Sequence, residues 1–258
     1  MMFGIERKLF DALSGLKEEY GLVGVKCEFE AEGSSFEEVV RLREMCSRAG
    51  VGLNLKIGGA EAKSDVLSGL VLGVDGLMAP MIESDFAIYK FRKLIDAIYP
   101  DVENRPEIAI NIETRTAAEC MDAILVRSAG FLDQVTFGRS DLSGSYFSKE
   151  ITPDSDFLMD VVMKKAVAVK AAGLRTGMGG SISIKTINKL RETNNFTATI
   201  DIVETRKCIL PSKGMLKDGA LAKCFEFEKL YLLSVKERND LFNRANTERL
   251  VKLEQRAV

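Results

Sequence analysis

Two short stretches of this chain place charged side chains where an apolar strand should end. Residues 134–145 read QVTFGRSDLSGS. Val135, Thr136 and Phe137 make a short strand, Gly138 breaks it, and Arg139 and Asp141 follow beside Ser140, Ser143 and Ser145. An ending of Gly-Arg-Ser-Asp makes a poor core, but it can hold a cation beside backbone N–H groups. Upstream, Ile108 to Ile112 form a second apolar strand that ends in Glu113. Residues 114–140 suffice for one helical crossover, so adjacent parallel strands would bring Glu113 and Asp141 to one site. Two carboxylates completed by waters suit Mg²⁺ or Mn²⁺. The same carboxylates could instead cap helices or pair with Arg115 and Arg139, and their spacing leaves both readings open.

The chain has no histidine. A Ser–His or Cys–His pair is therefore excluded. Proton transfer falls to Glu, Asp, Lys, Tyr, Cys or metal-bound water, and a metal site must use oxygen ligands. Lys26, Glu28, Glu30 and Glu32 alternate and so share one face of the first strand. Glu30 or Glu32 is a candidate general base, and we take Glu30; a solvated rim of ion pairs is the plainer reading. Lys56 precedes Ile57, Gly58 and Gly59. It could grip a carboxylate, stabilise an enolate or form a Schiff base if desolvated; an ion pair with Glu28, Glu30 or Glu61 competes. Gly177, Gly179 and Gly180 precede a helix beginning near Ser181 or Ser183. Such a turn can hold an anion, although a plain strand-to-helix turn explains the motif as well.

The elements that must position these residues alternate. Apolar periodicity predicts helices over 3–19, 35–49, 60–70, 84–98, 116–129, 157–172 and 184–190. Between them lie strands over 23–30, 51–57, 74–79, 108–112, 135–137, 174–178 and 197–203. Residues 143–153 read as a loop. Ser34 and Ser35 each stand three residues before a glutamate, the spacing of a capping box. An eighth strand is expected in 207–211 or near the N-terminus. Repeated strand–helix units in 258 residues predict a (β/α)₈ TIM barrel with extra N-terminal and C-terminal helices. A doubly wound open sheet is the rival, but no G-x-G-x-x-G follows the first strand. Residues 1–258 read as one domain, with a helix over 1–20 and a helical segment over 217–258. In a barrel, Glu30, Lys56, Glu113, Asp141 and Arg206 converge on one mouth.

A net charge of −2 argues against a nucleic-acid partner bound through bulk positive charge. No apolar run approaches the ~18–20 residues that span a membrane, and the N-terminus has no signal-peptide core. A cytoplasmic protein is expected. Five widely spaced cysteines with no C-x-x-C pair are expected to be reduced and mostly buried.

The succession LKIGG (55–59), GLMAPMIES (76–84), INIET (110–114) and FGRSDLSGS (137–145) resembles the HpcH/HpaI aldolase and citrate lyase β-subunit family of phosphoenolpyruvate/pyruvate barrels. The likeness is good over 51–145 and by pattern elsewhere. It implies that Glu113 and Asp141 hold Mg²⁺ or Mn²⁺, which chelates a 2-oxo acid. It implies that backbone N–H groups of the Gly138–Ser140 turn, those of Arg139 and Ser140, bind the substrate carboxylate. A carbon–carbon lyase acting through a metal-stabilised enolate follows, with Lys56 and Arg139 supplying positive charge, in a homo-oligomer with a small 2-oxo acid or acyl substrate. Two departures stand out. The family has Arg where this chain has Lys56, and its aldolase branch uses a histidine that is missing here. A metal-free Schiff-base aldolase through Lys56, or a non-catalytic ligand-binding barrel, are the alternatives.

Overall fold

The computed structural model describes residues 4–29 and 31–256. In chain order the elements are α1 (Gly4–Tyr20), β1 (Gly24–Glu28), α2 (Phe36–Ala49), β2 (Gly52–Lys56), α3 (Lys63–Leu72) and β3 (Gly76–Ala79). Then come α4 (Asp85–Ile98), β4 (Glu107–Ile112), α5 (Arg115–Glu119), α6 (Met121–Ser128), β5 (Gln134–Gly138), α7 (Arg139–Gly144) and α8 (Asp156–Ala171). The chain ends with β6 (Arg175–Gly179), α9 (Ile184–Glu192), α10 (Phe196–Thr199), β7 (Ile202–Glu204), β8 (Cys208–Pro211), α11 (Ser212–Met215) and α12 (Ala220–Arg256). Strands β1 to β8 close a barrel in sequential order, as the alternating pattern predicts.

Strand composition follows position. Val25, Leu53, Leu55, Ile108, Ile110, Ile112, Val135 and Phe137 are buried and pack in the main apolar cluster under the helices. Each such side chain contributes about 1.5–3 kcal/mol by leaving water. Alternate positions line the bore, and many are polar: Lys26, Glu28, Lys56, Asn111 and Thr136 at the mouth, Asn54 and Gln134 lower down beside Met78, Ala109 and Ile202.

Closure departs from a regular (β/α)₈ barrel. Strands β1 to β7 are mutually parallel, but β8 is antiparallel to both β7 and β1. The eighth strand lies within the expected 207–211 window, but only Thr205, Arg206 and Lys207 connect it to β7. So short a link permits an antiparallel hairpin and no crossover. The Thr205 N–H donates to Cys208 O at 2.9 Å, and the Cys208 N–H donates to Thr205 Oγ1 at 3.0 Å. The hairpin therefore delivers Thr205 and Arg206 to the mouth.

Most predicted elements are present within a few residues. Ser35, of the two candidates, caps α2 in a full capping box with Glu38, and Gly50 ends the helix at φ +63°. Three segments differ. The predicted helix 116–129 is broken at Cys120 into α5 and α6. Residues 139–144, partly read as loop, form α7. The expected strand 197–203 is the turn α10 followed by β7, because Phe196 must bury in the core and Asp201 is needed at the bottom of the barrel. Four cysteines are buried thiols, and Cys120 is exposed. Burial pushes the Cys27 and Cys46 thiols up to about 12.

A repeated device closes the lower rim. Asp75, Asp133 and Asp201 each precede an odd-numbered strand, and each accepts a backbone N–H of the preceding even-numbered one. The donors are Leu53 at 2.7 Å, Ile108 at 2.7 Å and Thr176 at 2.8 Å. Each aspartate also meets a cation: Arg43, Arg105 and Lys170 respectively. Burial pushes the Asp201 carboxyl up, but Lys170 and the Thr176 donors outweigh it and hold the group below its ordinary value. A depressed carboxyl stabilises the fold above its unfolded value near ~4 and loses that contribution as pH falls through the folded value. Asp201→Asn should lower stability by about 1–2 kcal/mol at pH 7 and flatten the acid limb, read as melting temperature against pH.

Candidate functional site

A cavity of about 450 Å³ opens at the mouth of the barrel, where the strands end. Glu113 and Asp141 both line it, as do Gly138 and Ser140. Glu113 is only 3% exposed. Its Oε1 accepts from Asn111 Nδ2 at 2.9 Å, and its Oε2 accepts from the Met81 N–H at 3.2 Å. Met81 holds a left-handed backbone at φ +52° to make that contact, the kind of strain that clusters at functional sites. A Cβ at Gly138 would lie 2.8 Å from Glu113 Oε1, so only glycine admits this carboxylate. Asp141 is exposed to the cavity on the first turn of α7, and its carboxylate has no hydrogen bond or ion pair among the described residues.

The donor set fits a hard divalent ion. Two carboxylates face one cavity, and the Asn111 Oδ1 beside them is buried without a partner. A buried acceptor left unpaired marks a place for an ion or water. Among the described residues, no three Asp, Glu or Cys side chains converge as a metal cage, so an ion held here would complete its shell with water or substrate.

Lys56 lies at the centre of the site, 3.6 Å from both Glu28 Oε2 and Glu113 Oε1. Arg206 meets Glu28 at 3.3 Å. Lys207 is buried, pairs with Glu32 and lies 4.4 Å over the Tyr231 ring of α12. Of the polar face expected on the first strand, Lys26 and Glu28 lie on β1 while Glu32 lies in the turn beyond it, and all three meet cross-barrel partners. Glu30 itself falls outside the described residues. Gly179 and Gly180 also line the cavity. A Cβ at Gly180 would come within 2.6 Å of the Ser140 N and 2.8 Å of the Arg139 N. Gly180 thus packs directly against these two backbone nitrogens, and Ser140 Oγ bonds Ser181 Oγ at 2.7 Å beside them.

These features define a closed eight-stranded α/β barrel with a polar, carboxylate-rich mouth. No family model matches the sequence, and no curated protein matches it. Solved structures do. The chain is similar to an HpcH/HpaI aldolase/citrate lyase family protein from Burkholderia cenocepacia J2315, at 15% identity and TM-score 0.60, over 76% of this chain and 82% of that one. It is similar to the HpcH/HpaI aldolase from Desulfitobacterium hafniense DCB-2, at 17% identity and TM-score 0.59, over 87% and 88% of the two chains. It is similar to the citrate synthase SbnG at 16% identity and TM-score 0.59, over 90% of each chain. At such identities the likeness shows a shared fold. Among the described residues, no helix is long and apolar enough to cross a membrane.

One expected charge is directed elsewhere. The Arg139 side chain, expected to bring positive charge to the mouth, is fully buried beneath it. Its guanidinium donates to Gly179 O at 3.2 Å, Gly180 O at 2.7 Å, Pro153 O at 2.8 Å and Asp154 Oδ1 at 2.9 Å. Burial pulls the guanidinium below its ordinary value, and the Asp154 bond partly restores it. A carboxylate and three carbonyls satisfy this cation better than a wet cavity could, so Arg139 staples the two strand-end turns together. The whole residue is buried and, of the turn's two expected N–H donors, only Ser140 belongs to the cavity lining. Lys26, expected on the polar face of the first strand, meets Glu204 at 2.9 Å in the bore, a residue to which the sequence pattern gives no role. Arg139→Met should cost about 3–5 kcal/mol by leaving a buried carboxylate and carbonyls unpaired, measurable by urea unfolding.

Proposed function

We propose that this chain is a divalent-metal-dependent carbon–carbon lyase of the aldolase and citrate lyase type, acting on a 2-oxo acid or related carboxylate. The observation that carries the proposal is the convergence of Glu113, Asp141 and Ser140 on one cavity. Glu113 and Asp141 would hold Mg²⁺ or Mn²⁺. Such an ion supplies a Lewis acid that neutralises charge developing on a substrate oxygen as a carbon–carbon bond breaks or forms.

The protein's own residues account for the rest. Asn111 and the Met81 N–H fix the Glu113 carboxylate in one orientation. Ser140, on the cavity wall, would offer its N–H to a substrate carboxylate. Lys56 adds a point charge at the centre of the site, without the planar fork an arginine would offer. Electrostatics favours a cation in this cavity. Among its described lining residues, six carboxylates stand against three cations, so a divalent ion relieves an excess that an anionic substrate alone would worsen. The same contacts weigh against Lys56 as a Schiff-base nucleophile, because carboxylates rather than an apolar wall surround it. The fold shared with enzymes described as HpcH/HpaI aldolases supports the reaction class.

Mn²⁺ should bind the wild-type protein in calorimetry. Glu113→Gln or Asp141→Asn should weaken that binding at least ~100-fold, since even an outer-shell partner is worth 10–100-fold. Cleavage of a 2-oxo acid aldol should stop in EDTA and return on adding Mg²⁺. Full turnover in EDTA would remove the metal from the mechanism.

A further inference from the structure

The proposed reaction needs a group that moves a proton to and from carbon, and the chain has no histidine to do it. The bore supplies a different group. Glu204 ends β7 and points inward, as Ile202 does two residues earlier at the lower cavity. It lines the mouth cavity yet is 1% exposed. Its Oε2 lies 2.9 Å from Lys26 Nζ, while its Oε1 accepts from Thr136 Oγ1 at 3.2 Å and Gln134 Nε2 at 3.3 Å. Gln134 Oε1 in turn accepts from Arg175 Nε at 2.8 Å, and Arg175 pairs with Glu107 at the lower rim. A column of hydrogen bonds therefore holds this carboxylate from below, in a bore that TIM barrels ordinarily fill with branched aliphatic layers.

Burying a carboxylate is costly, and an apolar replacement for a buried pair is often as stable. Stability alone does not explain why Glu204 is there. Its position relative to the site does. A Cβ added at Gly179 would lie 4.0 Å from Glu204 Oε2, and a Cβ added at Gly138 would lie 2.8 Å from Glu113 Oε1. Gly138 and Gly179 are direct partners in the β5–β6 ladder. Two adjacent positions without side chains are thus flanked by Glu113 on one side and Glu204 on the other. Ser140 and Gly180 line the same cavity.

We infer that Glu204 is the proton-transfer residue of this site, with Lys26 as its charge partner. The inference rests on the lyase reading above. In one direction the Glu204 carboxylate takes a proton from the carbon next to the substrate carbonyl. The C–H electron pair becomes the enolate C=C bond, and the carbonyl π pair moves to oxygen. In the other direction the protonated carboxyl returns that proton to carbon. No further reagent is consumed.

The test is hydrogen–deuterium exchange at the methyl group of pyruvate, followed by proton NMR in D₂O with Mg²⁺. Wild-type protein should catalyse the exchange. Glu204→Gln, which keeps an oxygen acceptor for Thr136 and Gln134, should slow it at least ~100-fold, the lower range for general acid–base catalysis. Its Mn²⁺ affinity by calorimetry should stay unchanged. If Glu204→Gln fails to fold because Lys26 is left unpaired, Glu204→Gln with Lys26→Met removes both charges and is read in the same way. Wild-type exchange that survives the substitution overturns the inference and leaves the lyase reading standing. Loss of Mn²⁺ affinity along with exchange also overturns it, since Glu204 would then be supporting the metal site. A wild-type protein that neither binds Mn²⁺ nor exchanges pyruvate overturns the lyase reading, and the inference with it.

Discussion

A bore lined with polar side chains must satisfy every group it buries, because each unpaired one costs about 1–3 kcal/mol. Asn111 Oδ1 apart, this barrel meets that constraint with one connected column from Lys26 and Glu204 through Thr136 and Gln134 to Arg175 and Glu107. Space for it comes from missing side chains. A Cβ at Gly177 would collide with Thr136 Oγ1, and one at Gly76 would collide with Asn54 Oδ1. Polar residues on one strand thus face glycines on the next, and the pairing in register keeps the bore both filled and hydrogen-bonded.

The antiparallel closure also shapes the mouth. A βα crossover before β8 would bring a new strand up towards the mouth and leave its end there. The hairpin instead turns β7 back, so its apex rather than a strand end sits at the rim. Arg206 and Lys207 on that apex neutralise Glu28 and Glu32 of the β1 side. Helix α12 runs 37 residues, roughly 55 Å, and seals the seam with Cys224, Phe227 and Tyr231 before Arg238 reaches the buried Glu6 of α1. The charges at the mouth are therefore held from outside the barrel as well as within it.

Much of this was legible in the residues. Alternation in strands and the 3.6-residue period in helices are local, so six strands and most helices could be placed without tertiary knowledge. Strand-end charges were legible too, because an apolar run that stops at Lys56, Glu113 or Gly138 gains nothing for the core by stopping there. The segment 197–203 misled because Thr-Ala-Thr-Ile-Asp-Ile-Val alternates like a strand, while its first half is needed as the last turn before the chain passes under the barrel. The ladder of Asp75, Asp133 and Asp201 was missed for a related reason. Each looks like an ordinary turn residue until the neighbouring strand's N–H is beside it.

The amino-acid order settles the alternating architecture, the absence of imidazole chemistry and the gathering of carboxylates at strand ends, because these depend on residue type and short-range period. It does not settle where a long side chain goes once it arrives. Arg139 and Glu204 both sit at strand ends, yet the first turns under the rim to four acceptors and the second turns into the bore beside Lys26. That choice depends on which strand lies next door and in what register. Packing across the closed barrel makes it, through partners distant in the chain.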